Sequence, residues 1–209
     1  MRKGFLVVLL LLLTTYCAAG DKKTSPGPLH LDKDGEKWAQ KTLKKMSLEQ
    51  KVGQMLMVWS RVEFYNSDNP DFLKLTDAIH KYHLGGFGMT VPTDGPFLLK
   101  NQPYEAATMI NRLQREAEFP LIFAADFERG LSMRLNGVTA FPHAMAFGAT
   151  NNPQYANDFG RITAEESRAI GVHWNFFPDS DVNSNPANPI INTRSFGEDP
   201  KQVGEFVTA

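Results

Sequence analysis

The chain has 209 residues, 42% of them hydrophobic and 11% aromatic, which is enough to build one domain with a sizeable core. Its formal net charge is −1, so no basic surface marks nucleic acid as a partner. The short charged runs 32–36 and 41–45 balance each other and read as solvated faces.

Residues 1–20 have the layout of a secretory signal. Arg2 and Lys3 supply the charged start, residues 6–13 an apolar run, and Cys17, Ala18, Ala19 and Gly20 a small-residue cleavage region. The apolar run is far shorter than the ~20 residues that span a bilayer, so no stable membrane span is expected. Export to the periplasm or the exterior follows. Cys17 is the single cysteine, and cleavage after Ala19 or Gly20 removes it, leaving a mature domain without disulfides. A lipid anchor on Cys17 is the alternative, disfavoured by the bulk of Tyr16 beside it. Residues 21–34 are polar and carry Pro26, Gly27 and Pro28, the composition of a disordered tether, with structure expected from Gly35.

Beyond the tether, helical and strand patterns alternate. Ser47 followed three residues later by Gln50 predicts a capping box opening a short helix over 48–53. Residues 55–59 form an apolar run of strand length. The spacing of Phe72, Leu73, Ala78, Ile79 and Tyr82 predicts a helix over 70–82, and 84–89 reads as a strand. An amphipathic stretch over 104–118 leads through Pro120 into a strand over 121–125. A helix over 153–170, ended by Gly171, precedes a strand over 172–177 stopped by Pro178. Ile190 and Ile191 read as a brief fifth strand, and Pro200 opens a last helix. Such alternation predicts a parallel sheet covered by helices. Both a doubly wound sheet and an eight-stranded barrel fit. Polar residues just past successive strands (Asp126 and Glu128, Asp179 and Asp181, then Arg194) favour the barrel, whose sites lie at that end. The first strand lacks the Gly-rich turn of a nucleotide fold.

Asp126 and Glu128 are the most chemical pair. Two residues apart on a strand, they point to one side with about 6.6 Å between Cα atoms. Glycosidase carboxylate pairs stand ~5 to 9.5 Å apart, but they flank the scissile bond, whereas neighbours on one strand end share a wall. These acids therefore read either as strand-end caps or as acceptors for sugar hydroxyls. Arg134 and Arg194 complement them, each offering five donors in a fixed fork. Phe127, Trp174 and Phe177 suit a sugar's apolar face, although aromatic residues within strands are more often core. Metal chemistry is not indicated. The run Asp179, Asp181, Asn183 starts like a calcium loop but has Ser184 and Ile190 where glycine and glutamate belong, and His80 and His83 lack further ligands. His143 and His173 serve no serine or cysteine motif.

Four segments together resemble the N-terminal barrel domain of glycoside hydrolase family 3. They are Met46-Ser-Leu-Glu-Gln-Lys-Val-Gly-Gln-Met55, the acid turn Asp126-Phe-Glu128-Arg-Gly130 with Arg134, Phe141-Pro142 with the helix around 164–171, and Asp181-Val-Asn183 followed by Arg194-Ser-Phe-Gly-Glu-Asp-Pro200. The resemblance runs from about Trp38 to the end. It implies a (β/α)8 barrel of which about the first five βα units are present, since residues 35–209 fall short of the ~250 typical of a whole barrel. It implies that Asp126, Arg134 and Arg194 bind the terminal sugar of a β-glycoside, with neither metal nor organic cofactor. The acid turn is closer to bacterial β-N-acetylhexosaminidases, apart from Arg129 where that branch often has a second glycine. A retaining exo-glycosidase for terminal N-acetylglucosamine is the expectation, with a β-glucosidase or a non-catalytic sugar-binding remnant as alternatives. No catalytic residue is assigned within the chain. The nucleophile and the acid/base are expected beyond Ala209, and nothing in the sequence sets an oligomeric state.

Overall fold

The computed structural model describes residues 31–61 and 63–209. The export segment 1–20, with Cys17, and the tether up to residue 30 lie outside the described residues. Helix α1 (Lys33–Lys45) belongs to a unit of its own, distinct from residues 46–209. It starts two residues before the predicted onset of structure, because the Asp32 carboxylate accepts the Gly35 N–H at 2.6 Å and caps the first turn. Among the described residues no helix is long and apolar enough to cross a membrane.

The larger unit opens with the expected capping box. Ser47 Oγ accepts Gln50 N–H at 3.2 Å, Gln50 Oε1 accepts Ser47 N–H at 2.9 Å, and helix α2 (Leu48–Gly53) follows. Strand β1 (Met57–Arg61) starts two residues later than the apolar run suggested. Helix α3 (Pro70–Tyr82) has Pro70 in its first turn and the Asn69 side chain as its cap. After strand β2 (Gly86–Thr90) comes a small hairpin absent from the sequence reading, β3 (Thr93–Asp94) and β4 (Phe97–Leu98). Helix α4 (Pro103–Glu116) then leads to strand β5 (Ile122–Ala125). Next come a 3-10 turn (Leu131–Met133), helix α5 (Ala144–Ala149), helix α6 (Gln154–Ile170) and strand β6 (Trp174–Asn175). Helix α6 closes on Gly171 at φ 92°, a left-handed position that favours glycine. A second 3-10 turn (Asn192–Arg194) precedes helix α7 (Pro200–Thr208), capped by Asp199.

Strands β1, β2, β5 and β6 form one parallel sheet in chain order, with Met89 opposite Ala125 and Ala125 opposite Asn175. Parallel neighbours need a crossover connection, and helices α3, α4 and α6 supply the three. One apolar core lies between the sheet and its helices, joining Phe87, Met89 and Phe123 to Phe72, Ile79, Met109, Ile110 and Leu113. Burying each such large side chain stabilises by about 1.5–3 kcal/mol. A second core joins Phe147, Phe159, Phe196, Val203 and Phe206, tying α5, α6 and α7 to the loop before α7.

Two strand expectations need correction. β6 is shorter than 172–177, although backbone bonds to β5 run from His173 (to Phe123 O, 2.9 Å) to Phe176 (to Ala125 O, 3.0 Å). The fifth strand at Ile190 and Ile191 does not form. The Asn188 side chain accepts the Ile190 N–H at 2.9 Å, and Asn185 accepts Ala187 N–H at 3.0 Å. These asparagine turns take the donors that a ladder would need. Four strands and their helices are therefore the part of the barrel seen among the described residues.

Candidate active site

The site is built at the C-terminal ends of β5 and β6. Beyond Ala125 the chain keeps its alternation for three residues. Phe127 turns into the core, fully buried, and its N–H donates to Asn175 Oδ1 at 3.0 Å. Asp126 and Glu128 therefore lie to one side, as the spacing predicts. Buried Leu131 and Leu135 anchor the turn that follows and bring Arg134 back to Asp126, with Nη2 3.4 Å from Oδ2. The backbone around Arg134 is fixed from a second direction: Asn101 N–H donates to Arg134 O at 3.2 Å, and Asn136 N–H to Asn101 O at 2.8 Å.

Arg194 arrives from the loop before α7. Fully buried Ser195 pins that loop, its hydroxyl donating to Asp181 O at 2.6 Å while accepting Gly197 N–H at 3.2 Å. Asn183 N–H donates to Gly197 O at 2.9 Å, so the segments 181–183 and 195–197, far apart in sequence, form one folded unit. Arg194 then grips Glu128 with two parallel bonds, Nε to Oε2 at 2.7 Å and Nη2 to Oε1 at 2.9 Å. This is the bidentate geometry in which arginine pairs most firmly. The Glu128 carboxylate holds the guanidinium still more firmly protonated than usual.

Exposure separates two roles. The Asp126 and Arg194 side chains are each 34% exposed, whereas Arg134 and Glu128 are 12% and 14% exposed. Asp126 and Arg194 can meet a ligand; Arg134 and Glu128 stand behind them. Of the three sugar-binding residues expected from sequence, Asp126 and Arg134 touch each other, while Arg194 joins them through the Glu128 branch of the same turn. Phe127 and Phe177 pack in the two cores, and Trp174 packs on Phe176 with ring centroids 5.2 Å apart. Among the described residues no group of histidine, cysteine and acidic side chains could hold a metal.

Sequence reasoning placed Asp179 beside a strand end but gave it no role. It stands here as a third carboxylate, with Oδ2 3.1 Å from Arg194 Nη2. Distance and direction disagree at this contact, since Oδ2 is buried yet receives no aligned hydrogen bond. Glu128 has already taken the fork, and the Asp179 contact is charge attraction only. Burial pushes its carboxyl up against the pull of Arg194, with Glu128, Asp181 and Asp126 adding repulsion. An acid whose folded pKa is raised gives stability below its unfolded pKa, and that stability is lost as pH rises through the folded value. Asp179→Asn should therefore raise the melting temperature at pH 7, with the gain shrinking as pH falls through the raised folded value and gone below about 4, the ordinary aspartate range. Equal melting curves at neutral pH would show that Arg194 fully compensates the buried charge.

The sequence pattern of the glycosyl hydrolase family 3 N-terminal domain matches residues 47–209. The β-N-acetylglucosaminidase/β-glucosidase of Cellulomonas fimi is 33% identical over 187 residues, covering 87% of this chain and 30% of that protein. β-Hexosaminidase A of Pseudoalteromonas piscicida is 34% identical over 138 residues, 62% of this chain and 22% of its own. In three dimensions, a family 3 β-N-acetylglucosaminidase from Paenibacillus sp. superposes with a TM-score of 0.67 at 32% identity, over 78% of this chain and 30% of that one. A β-glucoside phosphorylase, BglX, superposes with a TM-score of 0.72 at 25% identity, over 86% and 30%. The chain thus spans less than a third of each of these relatives. With its parallel sheet, its acid turn after β5 and its Arg194 loop, the chain belongs to glycosyl hydrolase family 3 and carries that family's N-terminal, TIM-barrel-like α/β domain.

Proposed function

We propose that the complete gene product is a retaining exo-glycosidase that removes a terminal β-linked N-acetylglucosamine, and that this chain supplies the grip on that sugar. One observation carries the reading. Two carboxylate–guanidinium pairs, Asp126 with Arg134 and Glu128 with Arg194, stand together past the ends of neighbouring parallel strands, with one member of each open to solvent. Carboxylate oxygens accept from adjacent sugar hydroxyls while guanidinium N–H groups donate to them, which fixes a ring in one orientation. Asp126 and Glu128 share a wall and are engaged by arginines, so neither is a nucleophile facing an acid across the bond. This reading assigns neither the attacking carboxylate nor the proton donor to a residue of 1–209. In the first step the carboxylate oxygen bonds to the anomeric carbon, while the aglycone oxygen leaves and takes a proton from the acid. Water then cleaves the glycosyl ester.

A grip that tightens as the ring flattens acts on the transition state rather than on binding alone. Residues 1–20 direct export, and the reaction uses no metal or organic cofactor. The double name of the Cellulomonas relative favours β-glucosidase as the second reading. The test is hydrolysis of an aryl β-N-acetylglucosaminide against the matching aryl β-glucoside by the complete gene product. We expect kcat/KM to be at least tenfold higher on the N-acetylglucosaminide. A preference for the glucoside selects the second reading, and turnover of neither leaves sugar binding without catalysis.

A further inference from the structure

Arginine has five N–H groups, and at Arg194 their acceptors can be counted. Nε donates to Glu128 Oε2 at 2.7 Å and Nη2 to Glu128 Oε1 at 2.9 Å. The other Nη2 hydrogen lies on the side of Asp179, whose Oδ2 is 3.1 Å away but off the N–H axis. Nη1 donates to the Ile190 carbonyl at 3.3 Å. A single Nη1 hydrogen is left for a ligand. The plane and direction of that one donor are therefore set by what holds the rest of the fork, and the two short, parallel bonds belong to Glu128.

We propose that Glu128 is a positioning residue of the sugar site, acting only through Arg194. Glu128 is itself well placed for this. It is the less exposed partner, 14% against 34%, and follows Phe127, whose ring is locked in the core. Its carboxylate thus sits on a fixed backbone, whereas Arg194 reaches it from a 3-10 turn 66 residues away. Asp179 is the competing acceptor. With the Glu128 charge removed, the guanidinium has a second carboxylate 3.1 Å from Nη2 onto which it can turn, and the Nη1 hydrogen turns with it. Hydrogen bonds to a charged donor weaken steeply once misaligned, so a small rotation suffices to lose the sugar contact. This inference rests on the sugar-binding reading for its ligand.

The test uses the complete gene product, with four proteins compared: unmutated, Glu128→Gln, Arg194→Ala and the double variant. The affinity for N-acetylglucosamine and for glucose is measured by calorimetry, and kcat and KM on whichever aryl β-glycoside is turned over. Glu128→Gln should lower kcat/KM by about tenfold or more, the size of one charged hydrogen bond, and divide that loss between kcat and KM in the same proportion as Arg194→Ala. The double variant should match Arg194→Ala within about twofold, because nothing is left for Glu128 to position. Glu128→Asp, which keeps the charge on a shorter arm, should fall between Glu128→Gln and the unmutated protein. It also carries the comparison with Arg194→Ala if Glu128→Gln fails to fold. Full additivity in the double variant, or a different kcat-to-KM division, overturns the positioning role while the glycosidase reading stands. An unmutated protein that neither binds nor cleaves any of these sugars ends the glycosidase reading, and the inference falls with it.

Discussion

Replacing Asp126 by alanine in the complete gene product is expected to lower kcat/KM on its best aryl β-glycoside by about a hundredfold or more. The carboxylate is 34% exposed and lies past the end of β5, so truncation opens no core cavity. What is lost is acceptance from the sugar's hydroxyls. A hydrogen bond to a charged group is worth ~1.5–3 kcal/mol, and each 1.4 kcal/mol is about tenfold in rate or affinity. Two such bonds in a desolvated pocket reach the stated factor. A secondary effect falls on Arg134, which is 12% exposed and has a buried Nε without a partner. Its contact with Asp126 is long, 3.4 Å, so the ion pair is weak and the melting temperature should drop by only a few degrees. If kcat falls with kcat/KM, the grip belongs to the transition state; if only KM rises, it is uniform binding. Near-normal kinetics at an unchanged melting temperature would remove Asp126 from the site and take the main support for the glycosidase reading with it.

The largest effect on stability is expected from Gly148→Ala. Helix propensity alone predicts a gain, since alanine is better than glycine inside a helix by ~0.5–1 kcal/mol. Helix α5, however, meets the loop before α7 at this glycine, and a Cβ there would overlap the carbonyl oxygen of Phe196. Backbone cannot rotate aside as a long side chain can, and Gln202 further ties the two segments by donating to Gly148 O at 3.0 Å. We expect a loss of roughly 3 kcal/mol, at the upper end of overpacking costs, or roughly 6–12 °C in melting temperature for a domain of this size. Phe196 lies two residues after Arg194, so the same change should also weaken sugar binding. Gly160→Ala in α6 is the control. Nothing stands within 4 Å of its Cβ position, and the propensity gain should appear there unopposed. Equal melting temperatures for Gly148→Ala and the unmutated protein would mean that the α5 contact is slack.

Much of the frame was legible because its signals are local. The Ser47–Gln50 capping box, the helix opened by Pro70 and the glycine closing α6 each rest on residues within one or two turns of chain. The alternation of helix and strand led to a parallel sheet, and the acids past the strand ends located the mouth of the barrel. Pairings across the sequence were not legible. Glu128 and Arg194 are 66 positions apart, and no pattern around either states that they share a fork. Asp179 was visible as an acid past a strand end, but its burial beside an arginine already in use is a product of the fold. Ile190 and Ile191 misled because two β-branched apolar residues favour strands, while the asparagines before them could claim the same N–H groups. The hairpin of β3 and β4 has strands of two residues each, too short to leave a period.

That hairpin has one more consequence. It leaves the sheet after β2, at the same end as Asp126, and is closed at its stem by Leu99 N–H donating to Pro92 O at 2.8 Å. Just beyond, Asn101 is bridged to Leu135 and bonded to the backbone of Arg134. Everything between Pro92 and Leu99 is thus tethered at both feet, and Phe97, which pairs with Asp94 beside the turn, is 70% exposed. Lengthening a surface loop costs only about 0.6 kcal/mol per doubling. The segment 93–98 is therefore expected to behave as a cassette, its length and side chains exchangeable without shifting Arg134 below it.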